Sequence, residues 1–170
     1  SDCGPFWNEY AETNQLFLNR GGGKYSLEKT RAGNFSSHAE VSRGLAFADL
    51  DSDGDTDLVQ SNLGNGLRVF RNEAQATGNH WLRVRALTGT RDDLGALVKV
   101  KAGESVLQRP VLSSSSFACA SDASVHFGLG KNPRVDSISV RWSDGSTELF
   151  EAAGVDRFLE VRKGKGQREN

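Results

Sequence analysis

Apolar and polar residues alternate at every second position along most of this chain. Apolar spacing of three or four residues, the mark of an amphipathic helix, is hard to find. Short alternating runs lie between clusters of glycine, asparagine, aspartate and serine, which predicts an all-β fold. The expected strands are "QLFLNR" (15–20), "GLAFAD" (44–49), "DLVQSN" (57–62), "LRVFRN" (67–72), "HWLRVRAL" (80–87), "ALVKVKAG" (96–103), "SVLQRPVL" (105–112), "SVHFGL" (124–129), "VDSISVRW" (135–142), "STELFEA" (146–152) and "DRFLEVRK" (156–163). Glycine-containing turns at 21–23, 64–66 and 143–145 punctuate them.

The pattern changes character near "EAQATGN" (73–79). Upstream strands are short and asparagine-rich. Downstream ones are longer, with Leu82, Val84 and Ala86 on one side of their strand, and Ile138, Val140 and Trp142 on one side of theirs. Such runs suit an antiparallel β-sandwich over 77–165, with the polar segment 166–170 expected as a flexible tail. In the first part, "LFLNR" (16–20) recurs as "VFRNE" (69–73), an offset of 53 residues that suggests propeller blades. A propeller needs at least ~4 blades to close, so residues 1–76 are expected to hold a partial propeller, one blade and the edge of another.

Composition narrows the function classes. The chain has 170 residues, 36% of them hydrophobic, and no apolar run near the ~20 needed to cross a bilayer as a helix, so no membrane insertion is expected. Its net charge of −1 provides no bulk attraction to nucleic acid or acidic lipid, and no nucleic-acid partner is expected. Without five clustered aspartates the remainder would stand at +4, so the acidity is local. Methionine is absent even from position 1, from which a chain cut from a longer one is expected. Cys3 and Cys119 fit no metal-binding spacing; a disulfide and two unrelated thiols both stay open. "NFS" at Asn34 is a glycosylation acceptor pattern.

The clustered aspartates carry the chemistry. "FADLDSDGDTDLV" (47–59) places Asp49, Asp51, Asp53, Asp55 and Asp57 at alternate positions around Gly54. Like charges repel unless a cation sits among them. Calcium takes ~6–8 oxygen ligands, more than magnesium draws from protein, and a tight loop can bend round it. Gly54 allows that bend. Asp49, Asp51 and Asp53 are expected to turn inward, Asp55 to offer its backbone carbonyl and Asp57 to close the cage with both oxygens. An EF-hand would need glutamate where Gln60 stands. A catalytic carboxylate dyad would need two groups in unequal environments, which five similar residues in one turn do not suggest.

These stretches are similar to a known pairing of domains. "GLAFADLDSDGDTDLVQSN" and "LRVFRNE", with "NQLFLNRGGGKY" upstream, resemble the FG-GAP or VCBS-type repeat of β-propellers. Residues 79–163 resemble an ASPIC/UnbV domain through "GNHWLRVRALTG", "LGALVKV", "VHFGLG", "VDSISVRWSDGS" and "RFLEVRKG". That order of domains resembles the cartilage acidic protein-like family and its bacterial relatives. The resemblance implies a secreted or envelope protein that binds Ca²⁺ at Asp49, Asp51, Asp53, Asp55 and Asp57 and contacts another extracellular protein or matrix component. It brings no catalytic residues. The turn "WSDG" (142–145) departs from the family's proline-containing form.

Other candidates are weaker. His38, His80 and His126 are too scattered for zinc, and "FGLGK" (127–131) lacks the residues of a phosphate loop. The serines at 113–116 have no nucleophile elbow around them and suggest an exposed loop. Arg83, Arg85, Lys99, Lys101 and Arg141 alternate with apolar residues, as on the wet faces of strands. The expected function is a non-catalytic, calcium-dependent adhesion or protein-interaction module. Trp81 and Trp142 sit on strands and are expected as core or sheet-face anchors. Were they exposed, they would suit a carbohydrate-binding module, which is one alternative; part of an enzyme completed by further blades is another.

Overall fold

The computed structural model describes residues 4–30, 32–73, 78–151 and 154–168. Among them there are strands, turns and two short 3₁₀ segments, Asn8–Tyr10 and Gly33–Ser36, but no α-helix. The all-β expectation holds.

Among the described residues, seven strands precede residue 73: β1 (Glu12–Thr13), β2 (Leu16–Asn19), β3 (Tyr25–Glu28), β4 (Ala39–Glu40), β5 (Ser42–Ala48), β6 (Asp57–Asn62) and β7 (Leu67–Phe70). They form three small antiparallel sheets, β1–β4, β2–β3 and β5–β6–β7. The predicted boundary runs into 74–77, outside the described residues.

Nine strands follow: β8 (His80–Thr88), β9 (Arg91–Asp92), β10 (Leu97–Ala102), β11 (Ser105–Pro110), β12 (Val125–Gly130), β13 (Ser137–Arg141), β14 (Thr147–Phe150), β15 (Arg157–Arg162) and β16 (Gln167–Arg168). One sheet runs β11–β10–β13–β14–β16; the other runs β12–β8–β15, with β9 beside β8. Alternation drives one side of each strand inward. Leu82, Val84 and Ala86 from β8, Val98 and Val100 from β10, Phe127 and Leu129 from β12, and Ile138 and Val140 from β13 share a single core with Trp142. Each of these large side chains contributes roughly 1.5–3 kcal/mol by leaving water.

One pairing departs from the antiparallel expectation. β15 lies parallel to β8, from Arg157 opposite Leu82 to Arg162 opposite Leu87. β14 and β15 belong to different sheets, so the chain crosses over between them instead of reversing in a hairpin. The tail also differs from expectation, because Gln167 and Arg168 pair with Leu149 and Glu148. The buried Glu148 carboxylate accepts the N–H groups of Gly164 (2.9 Å) and Gly166 (3.1 Å), which holds the polar segment onto the sheet. Residues 169–170 lie outside the described residues.

The outer edge of β5 is covered by the segment that follows β11. Leu45 N–H donates to Ser116 Oγ (3.2 Å), Phe47 N–H to Ser121 Oγ (3.3 Å), and Asp122 N–H to the Phe47 carbonyl (3.3 Å). Gly44 makes the approach possible, since a Cβ there would lie 2.1 Å from Cys119 Sγ. The serine run thus shields part of a sheet edge that would otherwise present unpaired backbone groups. Cys119 is a free thiol among the described residues; Cys3, and with it the question of a disulfide, lies outside them.

Candidate metal centre

The aspartate loop joins β5 to β6. Asp49 follows the end of β5, Asp57 opens β6, and the turn between them is made with Ser52 (φ 62°) and Gly54 (φ 95°) in the left-handed region. Asp57 is 1% exposed, and both of its oxygens accept backbone N–H groups: Oδ2 from Leu50 (2.8 Å) and Oδ1 from Asn72 (2.8 Å). It therefore staples the loop to the chain leaving β7, and only one lone pair per oxygen is left for another partner.

The fold brings together one carboxylate oxygen each from Asp49, Asp51 and Asp57, all within 4.8 Å of one another. These three residues form an acidic cluster that could hold a metal ion. Asp53 and Asp55 are not part of that group. Asp53 Oδ1 accepts the N–H of Asp55 (2.9 Å), the local bond by which an aspartate fixes a turn. Burial, and next the charge of Asp53, pushes the Asp55 carboxyl above its ordinary range.

Asp49 is the residue that most needs a partner. Its side chain is only 3% exposed. Oδ2 accepts the Gly54 N–H (3.2 Å) and faces Arg83 Nη1 (3.0 Å), whereas Oδ1 is buried without a hydrogen bond. A buried carboxylate oxygen left this way costs several kcal/mol in the absence of compensation. The donor set is all oxygen and strongly anionic, the chemistry of a hard cation, and the orphaned Oδ1 is suited to ligate one. Asp51 is more open and pairs with the exposed Arg71.

The surroundings of the loop come from the second half of the chain. Trp81 and Arg83 on β8, His126 on β12 and Phe158 on β15 share the outward face of the four-stranded sheet, as the pairings His126–Arg83 and Phe158–Arg83 require. His126 Nε2 donates to the Gly54 carbonyl (2.8 Å) and its ring stacks with Trp81 at 6.0 Å and 16°. Arg83 lies over the Phe158 ring at 4.9 Å.

The family of this half follows from its sequence. Residues 87–168 match the family model described as ASPIC and UnbV. The chain therefore contains an ASPIC and UnbV domain over those residues. Over most of its length the chain is distantly similar to two proteins named Cartilage acidic protein 1. It is 31% identical to the one from Homo sapiens over 153 residues, which are 82% of this chain and 22% of that protein. It is 32% identical to the one from Xenopus tropicalis over 126 residues, 70% of this chain and 19% of that protein. The chain thus spans about a fifth of the length of the curated relatives it matches.

The reading of Arg83 and Arg85 as wet-face residues changes with this geometry. Arg83 and Arg85 are not simply wet: Arg83 is 17% exposed and faces Asp49, and Arg85 pairs with Asp92 (2.6 Å). Trp142 is in the core at 1% exposure, and Trp81 lies against Gly54, where a Cβ would come 2.1 Å from its ring. His80 donates to Asp156 (2.7 Å), pinning the start of β8 to the turn before β15 and drawing the Asp156 carboxyl below its usual range. No sequence spacing links Trp81, Arg83 and His126 to residues 49–57, so their role beside the loop had no local signal. Alternation places them on one outward face, but nothing in the pattern says what covers that face.

Proposed function

We propose that the chain is a non-catalytic, calcium-binding protein-interaction module that works outside the cell. In this reading, residues 1–76 are an FG-GAP or VCBS-type propeller blade and residues 77–165 an ASPIC/UnbV β-sandwich. The observation that carries it is the cluster of Asp49, Asp51 and Asp57, in which Asp49 is buried with its Oδ1 left without a hydrogen bond. Calcium is the hard cation best suited to a flexible loop of carboxylates and backbone carbonyls. Asp49, Asp51 and Asp57 would hold it, with Asp53 and the Asp55 carbonyl turning in. The ion supplies the charge that lets these groups sit together. The similarity to proteins named Cartilage acidic protein 1 supports an extracellular setting and a partner that is a protein or matrix component.

The structural use of the histidines also favours a non-catalytic role, since His126 holds the Gly54 carbonyl and His80 holds Asp156. The burial of Trp142 removes one of the two rings that motivated a carbohydrate-binding reading.

The test is thermal unfolding with 10 mM calcium and with chelator. A site with a dissociation constant near ~10⁻³ M would add about 1.4 kcal/mol, or roughly 3–6 °C. An unchanged midpoint would remove the ion from the account.

A further inference from the structure

We infer that the second half of the chain, which carries the ASPIC and UnbV domain, completes the metal centre, with Arg83 as the residue that positions Asp49, so that cation binding and the seating of the loop on this half form one linked equilibrium. The inference rests on the reading that a cation occupies the loop. It adds where the rest of that centre comes from.

The loop and the domain meet through its ligating region. Gly54 is buried with φ 95°, and its lack of a side chain lets the Trp81 ring close over it. On the same residue, His126 takes the carbonyl (2.8 Å) and Asp49 Oδ2 takes the N–H (3.2 Å). Arg83 Nη1 stands 3.0 Å from that Oδ2, and Nη2 stands 3.9 Å from Asp122, in the segment that covers the β5 edge. Asp49 is thus gripped on one oxygen from the domain side, and its other oxygen is the one without a partner. Arg83 Nε and Nη1 also make no hydrogen bond of good geometry, so the contact has room to tighten when Asp49 is drawn into ligation.

Two effects of Arg83 oppose each other. Its positive charge repels a second cation nearby. Its grip on Asp49 orients a ligand, and outer partners of this kind typically change metal affinity by about 10–100-fold. The charge of Arg83 is already engaged by Asp49, with Asp122 and the Phe158 ring beside it, so orientation outweighs repulsion. By reciprocity, whatever Arg83 adds to cation affinity, the cation adds to docking of the loop.

The test uses the full chain, calcium chloride as the probe, calorimetric titration, and hydrogen–deuterium exchange with and without calcium. In the native chain, calcium should slow exchange at 49–57 and also at 80–84 and 122–128. Arg83→Met should weaken calcium binding about tenfold and abolish the added protection at 80–84 and 122–128, with Arg83→Lys restoring part of both. The native-chain exchange stands alone if Arg83→Met does not fold. If the native chain binds calcium but protection stays within 49–57, or if Arg83→Met binds as tightly or more tightly, the inference is overturned while the calcium site survives. If the native chain binds no calcium at 10 mM, the calcium reading itself fails and the inference goes with it.

Discussion

Asp57 and Glu40 show how single carboxylates are used in the first half of this chain. Asp57 holds the backbone N–H groups of Leu50 and Asn72 at once, so Asp57→Ala should cost about 1–3 kcal/mol even in calcium-free buffer, measured by urea unfolding. Glu40 is buried and held by Arg68 at both oxygens, Nε to Oε2 (2.5 Å) and Nη2 to Oε1 (2.6 Å), with Asn65 adding a third bond (2.9 Å). The Arg68 bonds, against the opposing effect of burial, lower its pKa from 4.5 to about 2. A depressed carboxylate pKa stabilises the fold fully above the unfolded value and is lost as pH falls through the folded one. Between pH 5 and pH 2.5 the native chain should therefore lose stability more steeply than Glu40→Gln, followed by urea midpoints. Parallel slopes would show that the Glu40–Arg68 pair does not govern acid sensitivity in this range.

At the scale of elements, the strands were largely legible. "DLVQSN" is β6 residue for residue, and each of the other predicted runs overlaps a strand. Period-two alternation is a local property, and burial of one face enforces it. What alternation does not encode is the partner of a strand. The parallel β8–β15 pair and the capture of Gln167–Arg168 by β14 depend on crossovers and on one buried carboxylate, Glu148. The short strand Tyr25–Glu28 was also missed, because it follows a glycine-rich turn and leaves Tyr25 exposed at 63%. The aspartate loop was visible because its spacing lies within nine residues, but its separation into a clustered trio and two outlying residues was not. The contact of Gly54 with Trp81 provides a sharp test. Gly54→Ala combines a strained φ with a Cβ 2.1 Å from the Trp81 ring and should destabilise the fold by at least about 1 kcal/mol. Pairing it with Trp81→Ala should recover part of that loss, because only the clash is relieved. A full loss in the double variant would mean that the backbone, and not the contact, sets the cost.

Across the whole molecule, the second half of the chain carries the main hydrophobic core, while the first half relies on small sheets and buried polar residues such as Glu40, Asp57 and Gln60. Phe127, fully buried between the two sheets, is expected to cost about 3–5 kcal/mol as Phe127→Ala, read by denaturant unfolding. The first half meets the second where its loop rests on the outward face of β8 and β12 and where residues 116–122 line β5. The acidic loop thus sits at the junction of the two halves. A cation held there would join charge compensation to the arrangement of the whole chain. Direct calorimetric titration with calcium, comparing the native chain with Asp49→Ala, addresses that claim most closely. The account predicts one site per chain with a dissociation constant near ~10⁻⁴–10⁻³ M, abolished in the variant. Absence of binding in the native chain, or equal binding in Asp49→Ala, would contradict it.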